Sequence, residues 1–232
     1  MRWLNAWWGS MERHPWMWTL AALAPLVLLP QIDLTVASWF YVPARDIFPA
    51  RSAPFPEWIR KSMPVLLFAA AAAVAILWLA GEAMRRVFLG ISRRVAAFLL
   101  LSLALGPGLV VNLILKDNWG RPRPSTLMEF GGKATYVRPL MISDQCDDNC
   151  SFTSGHGALG FWPLAFALLA PPAWRPIAIA ASLAFGAVVG LVRIAQGGHF
   201  LSDVAFSAVI TIGLILWLYR RLLGDSSKNH RQ

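Results

Sequence analysis

Residues Pro176–Tyr219 read PIAIAASLAFGAVVGLVRIAQGGHFLSDVAFSAVITIGLILWLY. Two apolar runs, Pro176–Ala195 and Leu201–Tyr219, flank a short polar hinge. Each run approaches the ~20 residues that a helix needs to cross the hydrocarbon core of a bilayer. The hinge region carries Arg193, His199 and Asp203. An ionisable side chain costs about 2.5–3.5 kcal/mol at the centre of a membrane helix, and less near its ends. Three of them at one junction between spans ask for a chemical reason.

Four further apolar runs lie upstream. They are Trp16 to Pro30 with a continuation towards Phe40, Met63–Ala80, Val95–Leu115 and the shorter Gly155–Ala170. Gly106-Pro107-Gly108 predicts a kink in the third run of the chain. Hydrophobic residues make up 57% of the sequence and charged residues 14%. A soluble domain carries about 25% charged residues, so the pattern predicts an all-α polytopic bundle of six transmembrane helices. No repeat or low-complexity segment divides residues 1–232, which reads as one domain. The first run is too long for a secretory leader, and no clean small-x-small site follows it.

Lys and Arg set the orientation. Arg85, Arg86, Arg93 and Arg94 crowd one short loop. With six alternating helices they share a side with Arg2, Arg13, Arg175, Arg220, Arg221, Lys228 and Arg231. That side is expected to be the cytoplasm, with both termini in it. The opposite side nevertheless carries ten Lys and Arg, so a raw count does not satisfy the rule. The net charge of +9 is read as loop and lipid contacts, not as a nucleic-acid surface.

Three polar clusters end on that opposite face. The first is Lys116-Asp117-Asn118-Trp119-Gly120-Arg121-Pro122-Arg123-Pro124. The second is Ser151-Phe152-Thr153-Ser154-Gly155-His156, and the third runs from Arg193 to Asp203. Alone, each has a plain explanation: a helix stop, a helix cap, a structural histidine. Together they hold the parts for phosphoryl transfer. Lys116, Arg123 and Arg193 supply cations, and Arg grips phosphate oxygens in a fork. Ser154 and the N–H groups at Gly155 and His156 open a helix, where anions are favoured. His199 and Asp203 are four apart and share a face if the last helix begins near His199. The carboxylate would then accept from one ring nitrogen and leave the other free for attack. Gly197-Gly198 permits the turn that presents His199.

These clusters resemble the type 2 phosphatidic acid phosphatase family. Its pattern is Lys, six residues, Arg-Pro; then Pro-Ser-Gly-His; then Ser-Arg, five residues, His, three residues, Asp. Lys116 to Arg123-Pro124 fits the first part. Thr153 replaces the Pro of the second, and Val192 replaces the Ser of the third. The resemblance covers roughly residues 95–220, the expected catalytic part. It implies that His199 is a nucleophile forming a phosphohistidine, and that Asp203 orients it. His156 is then the acid for the leaving alkoxide and the base for water. Lys116, Arg123, Ser154, Gly155 and Arg193 form the phosphate pocket, with no metal or other cofactor.

The loop Glu129–Asn149 and the approach Asn149-Cys150-Ser151-Phe152 look similar to bacterial lipid A phosphatases within the family. That places the chain in a bacterial inner membrane with its site facing the periplasm. Undecaprenyl pyrophosphate and phosphatidylglycerol phosphate are the alternative substrates, and lipid-to-lipid phosphotransfer is the alternative reaction. A vanadate-dependent oxidase of related architecture would be soluble, which the six spans argue against. A lipid flippase would not need the two His and the Asp. In an oxidising periplasm Cys146 and Cys150 are expected to form a disulfide, geometry permitting.

Overall fold

A computed structural model describes residues 15–224. Arg2, Arg13, Lys228 and Arg231, and with them the placement of both termini, lie outside the described residues.

The chain is all-helical. Helix α1 (Pro15–Leu28) stops at Pro30, and α2 (Gln31–Ser38) leaves at 81° to it. The first apolar run is therefore a broken pair, not one rod. Two short 3₁₀ turns, Pro43–Arg45 and Pro49–Arg51, lead into α3 (Pro54–Met84). Pro54 opens α3 at a position where its missing N–H costs nothing. Helix α4 (Arg93–Leu103) is capped by the Ser92 hydroxyl, which accepts from the Val95 N–H. It runs on as a π-helical stretch, Ala104–Lys116. The expected kink at Gly106-Pro107-Gly108 is thus a widening of the helix. Pro107 has no N–H for the ladder, and the Asn112 side chain donates to its carbonyl at 2.7 Å.

The Gly155–Ala170 run also departs from a single rod. It forms α5 (Gly155–Phe161) and α6 (Leu164–Ala167), separated at Trp162-Pro163. Pro163 cannot donate back into the preceding turn, so the helix restarts after it. The last two helices, α7 (Arg175–Ala195) and α8 (Leu201–Leu223), follow the sequence expectation closely. Among the described residues four helices are long and apolar enough to cross a membrane, or five if the bent α1–α2 pair is one span.

The core sits where α4, the α5–α6 segment and α8 meet. Phe98, Leu99, Trp162, Ala165 and Ile215 are buried there. The Trp162 indole donates to the Leu99 carbonyl at 3.2 Å and to the Ser102 hydroxyl at 3.1 Å. Close approach of α5 and α7 depends on Gly186, where a Cβ would run into the Phe161 ring. By contrast, Val65, Leu66 and Ile76 on α3 and Val188 on α7 are exposed. Large apolar side chains in such numbers on the outer faces of long helices suit lipid, not water.

Candidate active site

His199 lies just before α8 and is buried. The hinge turns at Gly197, whose φ of +62° is open to glycine at no steric cost. Helix α8 begins at Leu201, two residues after His199, so His199 lies outside the helix and the spacing of four does not bring Asp203 within hydrogen-bond reach of the imidazole. His199 Nδ1 lies 3.9 Å from Asp203 Oδ2, too far for a hydrogen bond. Its partner is the Ser151 carbonyl at 2.7 Å. A carbonyl can only accept, so Nδ1 carries the proton and Nε2 of the neutral ring keeps its lone pair. The tautomer expected from the sequence is present, held by a different group.

Asp203 acts one step removed. Its Oδ2 accepts from the Ser151 hydroxyl at 2.6 Å and from the Phe200 N–H at 2.8 Å. The residue that orients His199 is thereby fixed by Asp203. Burial, followed by the charges of Arg193, Arg123 and Lys116, holds the His199 imidazole well below its ordinary titration range. Burial and these cations therefore favour the neutral ring, whose Nε2 lone pair is free.

Beneath this loop lies a buried ion network that the sequence reading missed. The Arg121 guanidinium is fully buried and makes five hydrogen bonds. They reach the Val137 carbonyl at 2.8 Å, Ser202 Oγ at 2.9 Å and Asp203 Oδ1 at 2.5 Å. The remaining two reach Asp33 Oδ2 at 2.8 Å and the Tyr136 hydroxyl at 3.2 Å. Its plane also lies over Phe200, 4.3 Å from the ring centroid. Asp33, on α2, accepts in addition from the Ser202 N–H at 2.9 Å and from its hydroxyl at 2.5 Å. Asp33 was detectable: it is a lone carboxylate in an apolar run, where an ionisable group implies a partner.

Two of the three motif cations, Arg123 and Arg193, line a cavity of about 310 Å³. Arg51, Glu57, Arg60, Arg123, Ser125, Arg193, Gln196 and Gly198 line it. Arg193 Nη1 donates to Gln196 Oε1, while Arg193 Nε and Gln196 Nε2 are buried without a hydrogen-bond partner among the described residues. Arg123 donates through Nε and Nη2 to the Asn149 carbonyl, at 2.9 and 2.5 Å. Lys116 ends the π-helical stretch, and its charge reaches His199 with those of Arg123 and Arg193. Ser154 caps α5 by accepting from the Gly157 N–H at 3.1 Å. Gly155 packs so closely on the Asn112 amide that a Cβ would displace it. His156 Nε2 pairs with the Arg60 carbonyl at 3.2 Å. Arg51, Arg60, Gln196 and Ser151 are thus added to the predicted set.

Cys146 and Cys150 are joined, with their Cα atoms 5.7 Å apart. The bridge flanks Asn149, whose carbonyl receives Arg123, and is followed by Ser151, whose carbonyl receives His199. It closes the loop that presents both acceptors.

Comparison with known proteins agrees with this geometry. The chain is 35% identical over 201 residues to the lipid A 4'-phosphatase of Francisella tularensis subsp. novicida (strain U112), which covers 85% of this chain and 88% of that protein. It is 35% identical over 120 residues to the lipid A 4'-phosphatase of Rhizobium etli (strain ATCC 51251 / DSM 11541 / JCM 21823 / NBRC 15573 / CFN 42), covering 50% of this chain and 47% of that one. The lipid A 4'-phosphatase of Rhizobium leguminosarum matches at 34% over 120 residues, or 50% and 52% of the two chains. No solved structure matches. The family model described as the PAP2 superfamily matches residues 95–225, more than half of the sequence and all three polar clusters, and the chain belongs to that superfamily.

Proposed function

We propose that the protein is a membrane-integral lipid A phosphatase that works through a phosphohistidine at the periplasmic face of a bacterial inner membrane. The observation that carries the reading is the His199 Nδ1 bond to the Ser151 carbonyl, beside a cavity lined by Arg123 and Arg193. The similarity to lipid A 4'-phosphatases over most of the chain supports the substrate. In this reading residues 1–232 form one domain, and 95–220 are its catalytic part. Six spans, with both termini cytoplasmic, place the three clusters outside; the α1–α2 pair and the α5–α6 segment are the two broken spans.

His199 Nε2 attacks the phosphorus of the phosphomonoester. His156 donates a proton to the departing sugar oxygen, so the alcohol leaves neutral. The phosphoryl group is then on His199. His156, now unprotonated, takes a proton from water, and the resulting hydroxide attacks phosphorus, breaks the N–P bond and releases inorganic phosphate. Lys116, Arg123 and Arg193 neutralise the charge on the equatorial oxygens. The hydroxyl of Ser154 and the N–H of Gly155 complete the pocket. Asp203, through Ser151, keeps the nucleophile in the correct tautomer.

His199→Ala is expected to lower phosphate release by a factor on the order of 10⁴–10⁶ while the protein still inserts. Purified protein and variant would be compared on lipid A, undecaprenyl pyrophosphate, phosphatidylglycerol phosphate and phosphatidic acid. Turnover retained by the variant would remove His199 from its role. Another lipid leading the panel would replace lipid A as the substrate.

A further inference from the structure

The cavity holds more positive charge than one transferred phosphate requires. Lys116, Arg123 and Arg193 already account for the phosphate pocket implied by the motifs. Arg51 and Arg60 come from the Pro49–Arg51 turn and the start of α3, both outside the family match. Four guanidiniums and one carboxylate, Glu57, line the cavity together. They are also part of the excess of outer-face cations that the orientation rule left unexplained.

Arg51 is not placed there by chance of a loose loop. The turn that carries it packs against both α3 and α7. The preceding Phe48 is buried, and its ring sits against Gly197 of the nucleophile hinge. The backbone bearing Arg51 is therefore docked on the same hinge that presents His199. Its guanidinium is exposed and makes no hydrogen bond or ion pair among the described residues. Burial, and then the charge of Arg51, pulls Arg123 below its ordinary range, so the two cations sense each other. Arg60 is fixed differently. Its Nε and Nη2 hold the Glu57 carboxylate at 2.7 and 2.6 Å, and its carbonyl takes His156. The rest of its fork remains for a ligand.

A cavity of this size fits a headgroup, not a lone phosphate. Like charges held close repel, and complementary charge on a ligand relieves them. We propose that Arg51 and Arg60 form a second anion subsite for a phosphate or carboxylate that is not released, carried on the same headgroup as the phosphate that is. The inference rests on the phosphatase reading and narrows its substrate class to lipids with at least two anionic groups on the headgroup.

The test compares three acylated glucosamine disaccharides in neutral detergent. All carry the phosphate to be released; one has a second phosphate, one has a carboxylate in its place, and one has neither. Relative kcat/KM is read for the wild type, Arg51→Gln and Arg51→Lys, and equilibrium binding of the same lipids in the His199→Ala background. The wild type should favour the two-anion lipids by about tenfold or more, and Arg51→Gln should reduce that preference by about tenfold. Arg51→Lys should keep part of it. The arm with the larger loss identifies phosphate or carboxylate. Equal loss on all three lipids, or no preference in the wild type, overturns the subsite. A binding preference that persists with no phosphate release from any lipid overturns the phosphatase reading and leaves the subsite standing.

Discussion

Arg121 and Arg123 stand two residues apart in one Arg-Pro-Arg-Pro run, yet their surroundings are opposite. Arg121 is fully buried between two carboxylates, and each of its five N–H groups has a partner. Arg123 faces a cavity with three other guanidiniums and a single carboxylate. Nearby, Arg193 Nε and Gln196 Nε2 have no hydrogen-bond partner among the described residues. In the first region charge is compensated and geometry is fixed. In the second positive charge is left in excess, which suits an anionic ligand. The network around Arg121 joins α2, the 121–137 loop and the start of α8 beneath His199, so the open cluster rests on the closed one.

The largest effect should come from opening the closed region. Arg121→Met leaves Asp33 and Asp203 buried side by side without their cation. Breaking a buried pair by removing one partner costs about 3–5 kcal/mol. Thermal unfolding in detergent should show that loss, and the double variant Arg121→Met, Asp33→Asn should recover part of it, since one uncompensated charge has gone. If Arg121→Met unfolded like the wild type and lost only activity, Arg121 would belong with the binding cations and the contrast would collapse.

What the sequence disclosed divides along the same line. The long apolar helices α3, α4 with its π-helical continuation, α7 and α8 were legible because apolar character is recorded locally, although α3 begins at Pro54, ahead of the apolar run that starts at Met63. The cation cluster of Lys116, Arg123 and Arg193 was legible through fixed spacings around it. The Asp33–Arg121 pair was not, because its members are 88 residues apart and only tertiary packing brings them together. The His199–Asp203 bond was misread for a local reason. A spacing of four means a shared face only inside a helix, and α8 starts two residues after His199. The fourth run read as one rod because its composition is uniformly apolar, although Pro163 divides it.

A smaller effect is expected from the open region. Arg123→Gln removes one of the cations that reach His199 and, in the proposed mechanism, one donor for phosphate oxygens. Loss of such a donor lowers kcat/KM by about 10²-fold, with thermal stability little changed. The pH profile adds a direction. The imidazole is held well below its usual range, so kcat/KM of the wild type should stay high below the ordinary value of about 6.5 and fall only when the pH passes below the lowered one. Protonation removes the Nε2 lone pair, hence the loss is on the acid side. Without the Arg123 charge the proton is easier to add, and the acid limb should move up in pH. A limb that stays in place would mean that Arg123 acts only on substrate.

The smallest effect lies at the border between the regions. Glu57 is the single carboxylate lining the cavity, and it holds Arg60 at 2.6 Å and Lys61 at 3.1 Å. Both pairs are partly open to solvent, and such pairs add little to stability. Glu57→Gln should leave thermal unfolding unchanged, unlike any change at Arg121. It should strengthen the positive field in the cavity and lower KM by roughly twofold to threefold at low salt. That gain should fade as salt rises, because the Debye length shrinks from ~10 Å at 0.1 M to ~3 Å at 1 M. The cost of Arg121→Met should persist in the same salt, since its partners are shielded from solvent. A salt-insensitive gain, or a loss of stability equal to that at Arg121, would show that Glu57 belongs to the closed network and that the cavity's charge is compensated after all.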